Sequence, residues 1–481
     1  MAVLLIALLY SAIMAQNLCL TYRRERAEDL GTHPRYEAPF ASFNTFKFFL
    51  VWTVGTILMT FARAGSILNG LNALFFSLML QFSLIYGLLL LLTPLLRAHF
   101  HPHTCAFLWF LPYLLFMVQN VVLPFLPLPR FLIPVDRDLF VRLFLLWAAG
   151  AAAVLLWKVA GHIRFTQSVL QEEIPVTDPL ILDLWAMELD AANLEDFPCK
   201  LVYSNKVRTP ISFGFRPESV RVVLPAQEYE PEDLSLILRH ELIHLGRRDN
   251  LTKLLFTIFT ALGWFNPLMW MGTRRMAQDL ELSCDQAVLR TEDGPTRKRY
   301  AQLLLNTAGE QRGFTTCMSA AAQTFRYRLK HTLIPEKRRD GIALVAVCAA
   351  LVVLSALQPF ALSFHSGTLE ELVLPEGTAY QVEVSYPDFG EAFPPPQDPD
   401  SITCTDPDAL LDYLCSQQAD EVYAVELPKT GPYLALCLSG SGGEFWVHIS
   451  HRIVSVDEKY YLLREELDWT YLHSLLDYIP Q

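Results

Sequence analysis

The first 160 residues are dominated by long apolar runs, at residues 2–16, 48–62, 71–96, 106–126 and 143–160, and one more stands alone at 341–361. Each approaches the ~20 residues that cross the hydrocarbon core of a bilayer, which predicts five spans in series and a sixth much later. Between them the period changes. Residues 200–225, KLVYSNKVRTPISFGFRPESVRVVLP, alternate apolar and polar positions and break at Gly and Pro, which predicts two or three short strands. After PEDL, residues Leu234, Ile237, Leu238, Leu242 and Leu245 recur at spacings of three and four, the signature of a helix with one buried face. A further apolar run at 251–272 contains Asn266 and Pro267, which break a helix. It is read as packed in a domain core or lying in the membrane interface rather than crossing. Past the sixth run, a Pro-rich stretch at 393–400 leads to strand-like YLALCLS and EFWVHIS and helical DPDALLDYLCSQQ and LDWTYLHSLLDYI, which predict a small α+β domain over 365–481.

Composition agrees with a membrane protein: 52% of the residues are hydrophobic and 18% charged, which excludes an ordinary soluble chain. Charge adds an orientation. Residues 365–481 hold 4 Lys/Arg against 21 Asp/Glu, a balance of −17, so a total of −12 leaves +5 for the rest. Cytoplasmic flanks are enriched in Lys and Arg. YRRER follows the first run, Lys158 and Arg164 close the fifth, and EKRRD abuts the sixth. These flanks place the N-terminus outside, residues 165–340 in the cytoplasm and the acidic tail outside. The first run has no basic residues before it and is read as an anchor rather than a cleaved signal. Nine cysteines include no CxxC pair, so a cysteine-based metal site is not indicated, while one disulfide among Cys404, Cys415 and Cys437 suits an external domain.

The candidate chemistry lies in RHELIHLGRRD. On a helix, positions four apart share a face, so His240 and His244 can hold one Zn²⁺ while Glu241 reaches a water beside it as general base. A catalytic zinc takes three protein ligands and keeps one position open. DLELSCD, residues 279–285, offers Glu281 as the third ligand, with Asp285 four residues on to accept the free ring N–H of a ligating histidine. Cys284, beside Glu281, is the alternative ligand, and with a carboxylate at hand it is read as a small buried residue. Tyr300 and Arg297 are the candidates for stabilising an oxyanion, and neither is assigned.

The blocks RTPISFGFRPESVRVVLP, HELIHLGRRDN, WFNPLMW and DLELSCDQAVL, in this order, resemble the BlaR/MecR-type antirepressor membrane metallopeptidases. The resemblance is strong over residues 165–310. It implies a membrane sensor with an α+β gluzincin-like zinc protease domain facing the cytoplasm; with the apolar runs and the tail, the fold class is a multi-pass α-helical membrane protein with that domain and a small α+β extracytoplasmic C-terminal domain, a candidate sensor. It carries over His240, His244 and Glu281 as ligands, Glu241 as base and Asp285 as their support. It also implies that Phe213, Gly214 and Pro217 belong to an edge strand that receives substrate backbone. The partners it implies are the lipid bilayer, an external ligand and a cytoplasmic protein substrate such as a winged-helix repressor, with no direct nucleic-acid contact.

The tail departs from the best-known members, which end in a penicillin-binding domain with SxxK, SDN and KTG signatures. KTG at 429–431 occurs here without SxxK, and the LPKTG that overlaps it lacks the apolar stretch and basic end of a sorting signal. Two other readings compete: a non-catalytic receptor or scaffold, and a quality-control protease of the HtpX or CAAX-prenyl-protease type. Glu241 speaks against the first, since a structural zinc site has no use for a base, and the acidic outer domain speaks against the second.

Overall fold

The computed structural model describes residues 2–27, 35–36, 67–113, 115, 131–134, 137–215, 219–306, 328–329, 332, 338–355, 360–363, 366–373, 381–388, 403–422, 432–440, 443–456 and 459–477. Contacts divide the chain into two compact units, one of residues 1–53, 79–118 and 147–356, the other of 54–78, 119–146 and 357–481.

Helices α1 (Ala2–Arg26), α2 (Ile67–His99), α3 (Pro102–Leu108) and α4 (Arg137–Leu170) cover the described part of the apolar region. Among the described residues, three helices are long and apolar enough to cross a membrane, within α1, α2 and α4. Leu84, Leu88, Leu91 and Leu95 form an exposed stripe along α2, a surface suited to lipid and not to water. The predicted spans are corrected in three places. The first helix continues to Arg26; the fourth begins within α3, which ends at Leu108 and passes into a 3-10 turn at Leu111–Tyr113, and its remainder, 116–126, lies outside the described residues. The sixth is α10 below, which is shorter than the predicted 341–361. The predicted span at 48–62 lies outside the described residues.

Two long runs reach past what a bilayer needs. With 34 residues, α4 is about 51 Å long at 1.5 Å per residue, against a hydrocarbon core of about 30 Å. Its polar end carries the chain into a four-stranded sheet. Strand β1 (Phe131–Pro134) lies in the second unit, and the sheet is built from β2 (Ile174–Pro175), β3 (Lys200–Tyr203), β4 (Ile211–Phe213) and β5 (Arg221–Leu224), in the order β2-β3-β5-β4. The strand block read from 200–225 is present as β3, β4 and β5. Helices α5 (Pro179–Ala192) and α6 (Pro231–Arg247) cover one face. There Leu201, Val222 and Leu224 pack with Trp185, Leu234 and Leu238, while Val202, Val223, Ile211 and Phe213 pack on the other face with Val169 of α4. Successive strand residues point to opposite faces, so a sheet covered on both faces needs apolar residues at consecutive positions such as Val222 and Val223.

After α6 come α7 (Asp249–Leu262), α8 (Pro267–Val288), α9 (Gly294–Asn306) and α10 (Ile342–Ser355). The apolar run at 251–272 is no span. It breaks at 263–266, where the Asn266 side chain accepts a hydrogen bond from the Leu268 N–H and caps α8 at its N-terminus. Phe256 and Phe259 of α7 pack against Phe110 and Phe82, with centroids 4.8 and 6.5 Å apart. The helix is therefore seated in the core of its unit. Gly272 lets α8 approach α2 closely, since a Cβ there would meet the Tyr86 ring at 2.1 Å.

The second unit contains the predicted α+β tail. Strands β6 (Phe360–Ser363), β7 (Ser366–Thr368), β8 (Gln381–Asp388), β9 (Thr403–Cys404), β10 (Gln418–Val422), β11 (Tyr433–Gly440), β12 (Gly443–Ser450), β13 (Ile453–Val456), β14 (Lys459–Leu463) and β15 (Leu476–Asp477) alternate with helices α11 (Leu369–Val373), α12 (Pro407–Cys415) and α13 (Trp469–Ser474). A seven-stranded sheet runs β7-β10-β14-β13-β12-β11-β8, and β6 pairs in parallel with β1. Leu410, Leu414 and Leu472 of the helices fill the core against Leu434, Leu436, Val447 and Ile449. Cys404, Cys415 and Cys437 are all free, so the external disulfide is not formed among them.

Candidate metal centre

The site is built where α6, α7, α8 and α9 meet. His240 and His244 stand one turn apart on α6, and their Nε2 atoms lie 3.2 Å from each other. Glu281 of α8 brings Oε2 to 3.7 Å from the Nε2 of His240 and 3.6 Å from that of His244. A tetrahedral zinc with ligand distances of ~2.0–2.1 Å has edges of about 3.3 Å, close to these separations. The chemistry also fits. Two imidazole nitrogens and a carboxylate oxygen, buried face to face with lone pairs converging, are stable only with a cation among them.

The structure brings His240, His244 and Glu281 together, and Cys284 lies with them and requires a decision. Cys284 groups with His240 and His244 as a set able to hold a metal, their donor atoms within 4.8 Å of one another. Its Sγ, however, already donates to the His240 carbonyl at 3.3 Å. Glu281 Oε2 lies 3.7 and 3.6 Å from the two Nε2 atoms, and Lys253 Nζ holds its other oxygen, Oε1, at 3.2 Å. That leaves Oε2 to face the histidines, and we favour Glu281 as the third donor.

The orientation of each ring is fixed from behind. The turn between α6 and α7 passes through Arg248 in a left-handed conformation, φ 54°, which starts α7 at once and places Asp249 under His244. The Nδ1–H of His244 donates to Asp249 Oδ2 at 2.6 Å, which turns Nε2 toward the site. The Nδ1–H of His240 donates to the Tyr300 hydroxyl of α9 at 2.8 Å, and that hydroxyl donates to Asp285 Oδ1 at 2.8 Å. This corrects one expectation: Asp285 is 3.6 Å from His240 Nδ1, beyond hydrogen-bond distance, and supports the ring through Tyr300. Arg328 in turn grips Asp285 with two bonds of 2.6 Å.

Electrostatics describes the same need for a cation. Burial opposes charge on Glu281, but Lys253 and the two histidines outweigh it and hold its carboxyl well below the usual range. Burial also opposes protonation of the histidines, yet Cys284 and Glu281 outweigh it for both, raising His240 to about 10 and His244 well above 6.5. Without a metal ion, protons supply the positive charge that Cys284 and Glu281 demand.

Other sequence candidates fall as follows. Glu241 is buried beside His240 on α6, 2% exposed. Arg297 is engaged elsewhere, its guanidinium bonding the carbonyls of Leu289, Glu292 and Thr332. Phe213 ends β4, which forms one edge of the sheet, and the Ser212 carbonyl accepts from Asn250 Nδ2 at 3.3 Å. Gly214 follows at φ 114°, where a Cβ would lie 2.6 Å from the Ser219 carbonyl oxygen, so glycine is required there. Pro217 lies outside the described residues. Sequence reasoning missed Asp249, Lys253 and Arg328, and it gave Tyr300 a different role. Asp249 had a faint signal, a carboxylate one residue past the helix that carries both histidines.

Comparison with known proteins closes the description. Residues 131–333 match the family described as BlaR1 peptidase M56. Over 194 residues the chain is 28% identical to "Regulatory protein BlaR1" of Bacillus licheniformis, covering 39% of this chain and 31% of that protein. It is 24% identical over 185 residues to "Regulatory protein BlaR1" of Staphylococcus aureus, covering 37% and 31%, and 29% identical over 106 residues to "Methicillin resistance mecR1 protein" of Staphylococcus aureus strain Mu50, covering 21% and 18%. The aligned stretch thus spans less than a third of each relative.

Proposed function

This chain belongs to the BlaR/MecR-type family of M56 peptidases, and we propose that it is a membrane zinc metalloendopeptidase coupling an external signal to proteolysis of a cytoplasmic protein. The substrate class we favour is a transcriptional repressor. The observation that carries the reading is the triangle of His240 Nε2, His244 Nε2 and Glu281 Oε2, with sides of 3.2, 3.6 and 3.7 Å and with Glu241 next in sequence to the first ligand.

His240, His244 and Glu281 would hold the ion, with Asp249 and Tyr300 keeping both Nε2 lone pairs on it. Zinc at such a site acidifies water and polarises a carbonyl. Glu241 then takes the proton of the attacking water and delivers it to the departing amine, the ordinary exchange of a general base that becomes a general acid. Strand β4, at one edge of the four-stranded sheet and ending at Phe213, with Gly214 next, would align an extended peptide by strand addition. The acidic tail, residues 365–481, is assigned to the outer side, where it receives the ligand, and residues 165–340 to the cytoplasm, following the basic flanks.

The test is Glu241→Gln in the full chain, purified in nanodiscs and assayed against a winged-helix repressor that the wild type cleaves. The variant is expected to keep its metal and lose cleavage. Cleavage persisting at the wild-type rate would remove this mechanism.

A further inference from the structure

A cavity of about 210 Å³ opens where α8 meets the ends of α1, α3 and α6. Its lining includes two carboxylates, and both are matched. Glu25 accepts from Arg247 Nη2 at 2.8 Å, and Asp285 accepts from Arg328 and Tyr300. The donors are in excess. Arg290 and Arg297 also line the cavity, and among the described residues their hydrogen bonds go to backbone carbonyls alone. Among the described residues His103, 5% exposed, makes no hydrogen bond through either ring nitrogen, with Glu25 3.7 Å away, and Arg247 leaves its Nε without a partner.

We propose that this cavity binds a phosphate-type oxyanion, either the headgroup phosphate of an anionic lipid or free phosphate. Buried polar groups in folded proteins are matched, and what is lacking here is acceptor oxygen carrying negative charge. Guanidinium forks meet phosphate oxygens two at a time. The volume is below the ~300 Å³ at which drug-sized ligand pockets begin, which suits a single phosphate and excludes a nucleotide. The place fits as well: α1 is an apolar helix that ends in Arg23, Arg24 and Arg26, and basic pockets at the ends of spanning helices recognise lipid headgroups. Ser283 and Asp285 line the cavity from the helix that also carries Glu281, so an occupant would sit against α8. Binding is measured directly, and the proposal stands whether or not the chain is a peptidase.

The probes are inorganic phosphate, titrated calorimetrically into the full chain in a phosphate-free non-ionic detergent, and phosphatidylglycerol, followed by native mass spectrometry. The wild type is expected to bind at least one, and Arg290→Gln to weaken that binding about tenfold or more, with Arg290→Lys recovering part of it. An unchanged melting temperature identifies the loss as local. Phosphate binding that phosphatidylglycerol displaces names the headgroup as the source, and phosphate binding it leaves untouched names the free ion. If neither probe binds the wild type, or Arg290→Gln binds as well as the wild type, the proposal fails.

Discussion

Asp279 and Glu281 are two carboxylates two residues apart on α8, both buried, at 1% and 6% exposure, and they serve different ends. Asp279 faces the membrane helices. It accepts from Arg97 Nε at 2.7 Å and from Trp109 Nε1 at 2.9 Å, and both oxygens are satisfied by fixed donors. Burial pushes its pKa up, with Arg97 pulling against it. Glu281 faces inward, with one oxygen on Lys253 and the other toward two ring nitrogens that carry lone pairs once neutral, and its pKa goes down. Burial is common to both and decides nothing. What separates the two is that both Asp279 oxygens are taken by fixed donors, whereas Glu281 keeps Oε2 toward two ring nitrogens as a candidate ligand.

Four measurements would break or sharpen that comparison. The largest effect is expected from Glu281→Ala, which should weaken metal binding by more than the ~10–100-fold that an outer partner is worth; equilibrium dialysis against zinc measures it. Asp279→Ala should do the reverse, costing about 3–5 kcal/mol of stability through the stranded Arg97 while the folded protein keeps its metal. Denaturant unfolding in detergent with metal analysis tests this, and metal loss from the folded state would erase the distinction. Asp249→Asn should cost zinc affinity within ~10–100-fold, with Tyr300→Phe at the lower end because its hydroxyl is neutral. The smallest effect is on pH dependence. The raised pKa values of His240 and His244 mean that both rings hold protons at neutral pH without metal, so zinc must displace them. Affinity should therefore fall as pH falls, and calorimetry in buffers of different ionisation enthalpy should report proton release, which Asp279→Asn leaves unchanged.

Parts of this were legible from the chain alone because they are local. The i, i+4 histidines of α6, the break at Asn266 and Pro267, and the alternation that became β3 to β5 depend on residues close in sequence. Helix limits were less legible in the apolar region, where hydropathy registers apolar content and leaves the turn after Leu108 or the end of α10 at Ser355 unmarked. Asp285 illustrates the same limit at the site, since its spacing from Glu281 placed it on the right face while an intervening Tyr300 from α9 took the contact with His240.

The sequence by itself determined that an apolar chain with several helices fit to span a bilayer carries an HExxH helix and a later acidic helix, because period and composition act over one or two turns. Only the tertiary structure decided which residues orient the rings, why Glu281 rather than Asp279 meets them, and that β4 lies at an edge. Those are distances between elements far apart along the chain. They are set by how α6, α7, α8 and α9 pack, and no spacing within a single helix encodes them.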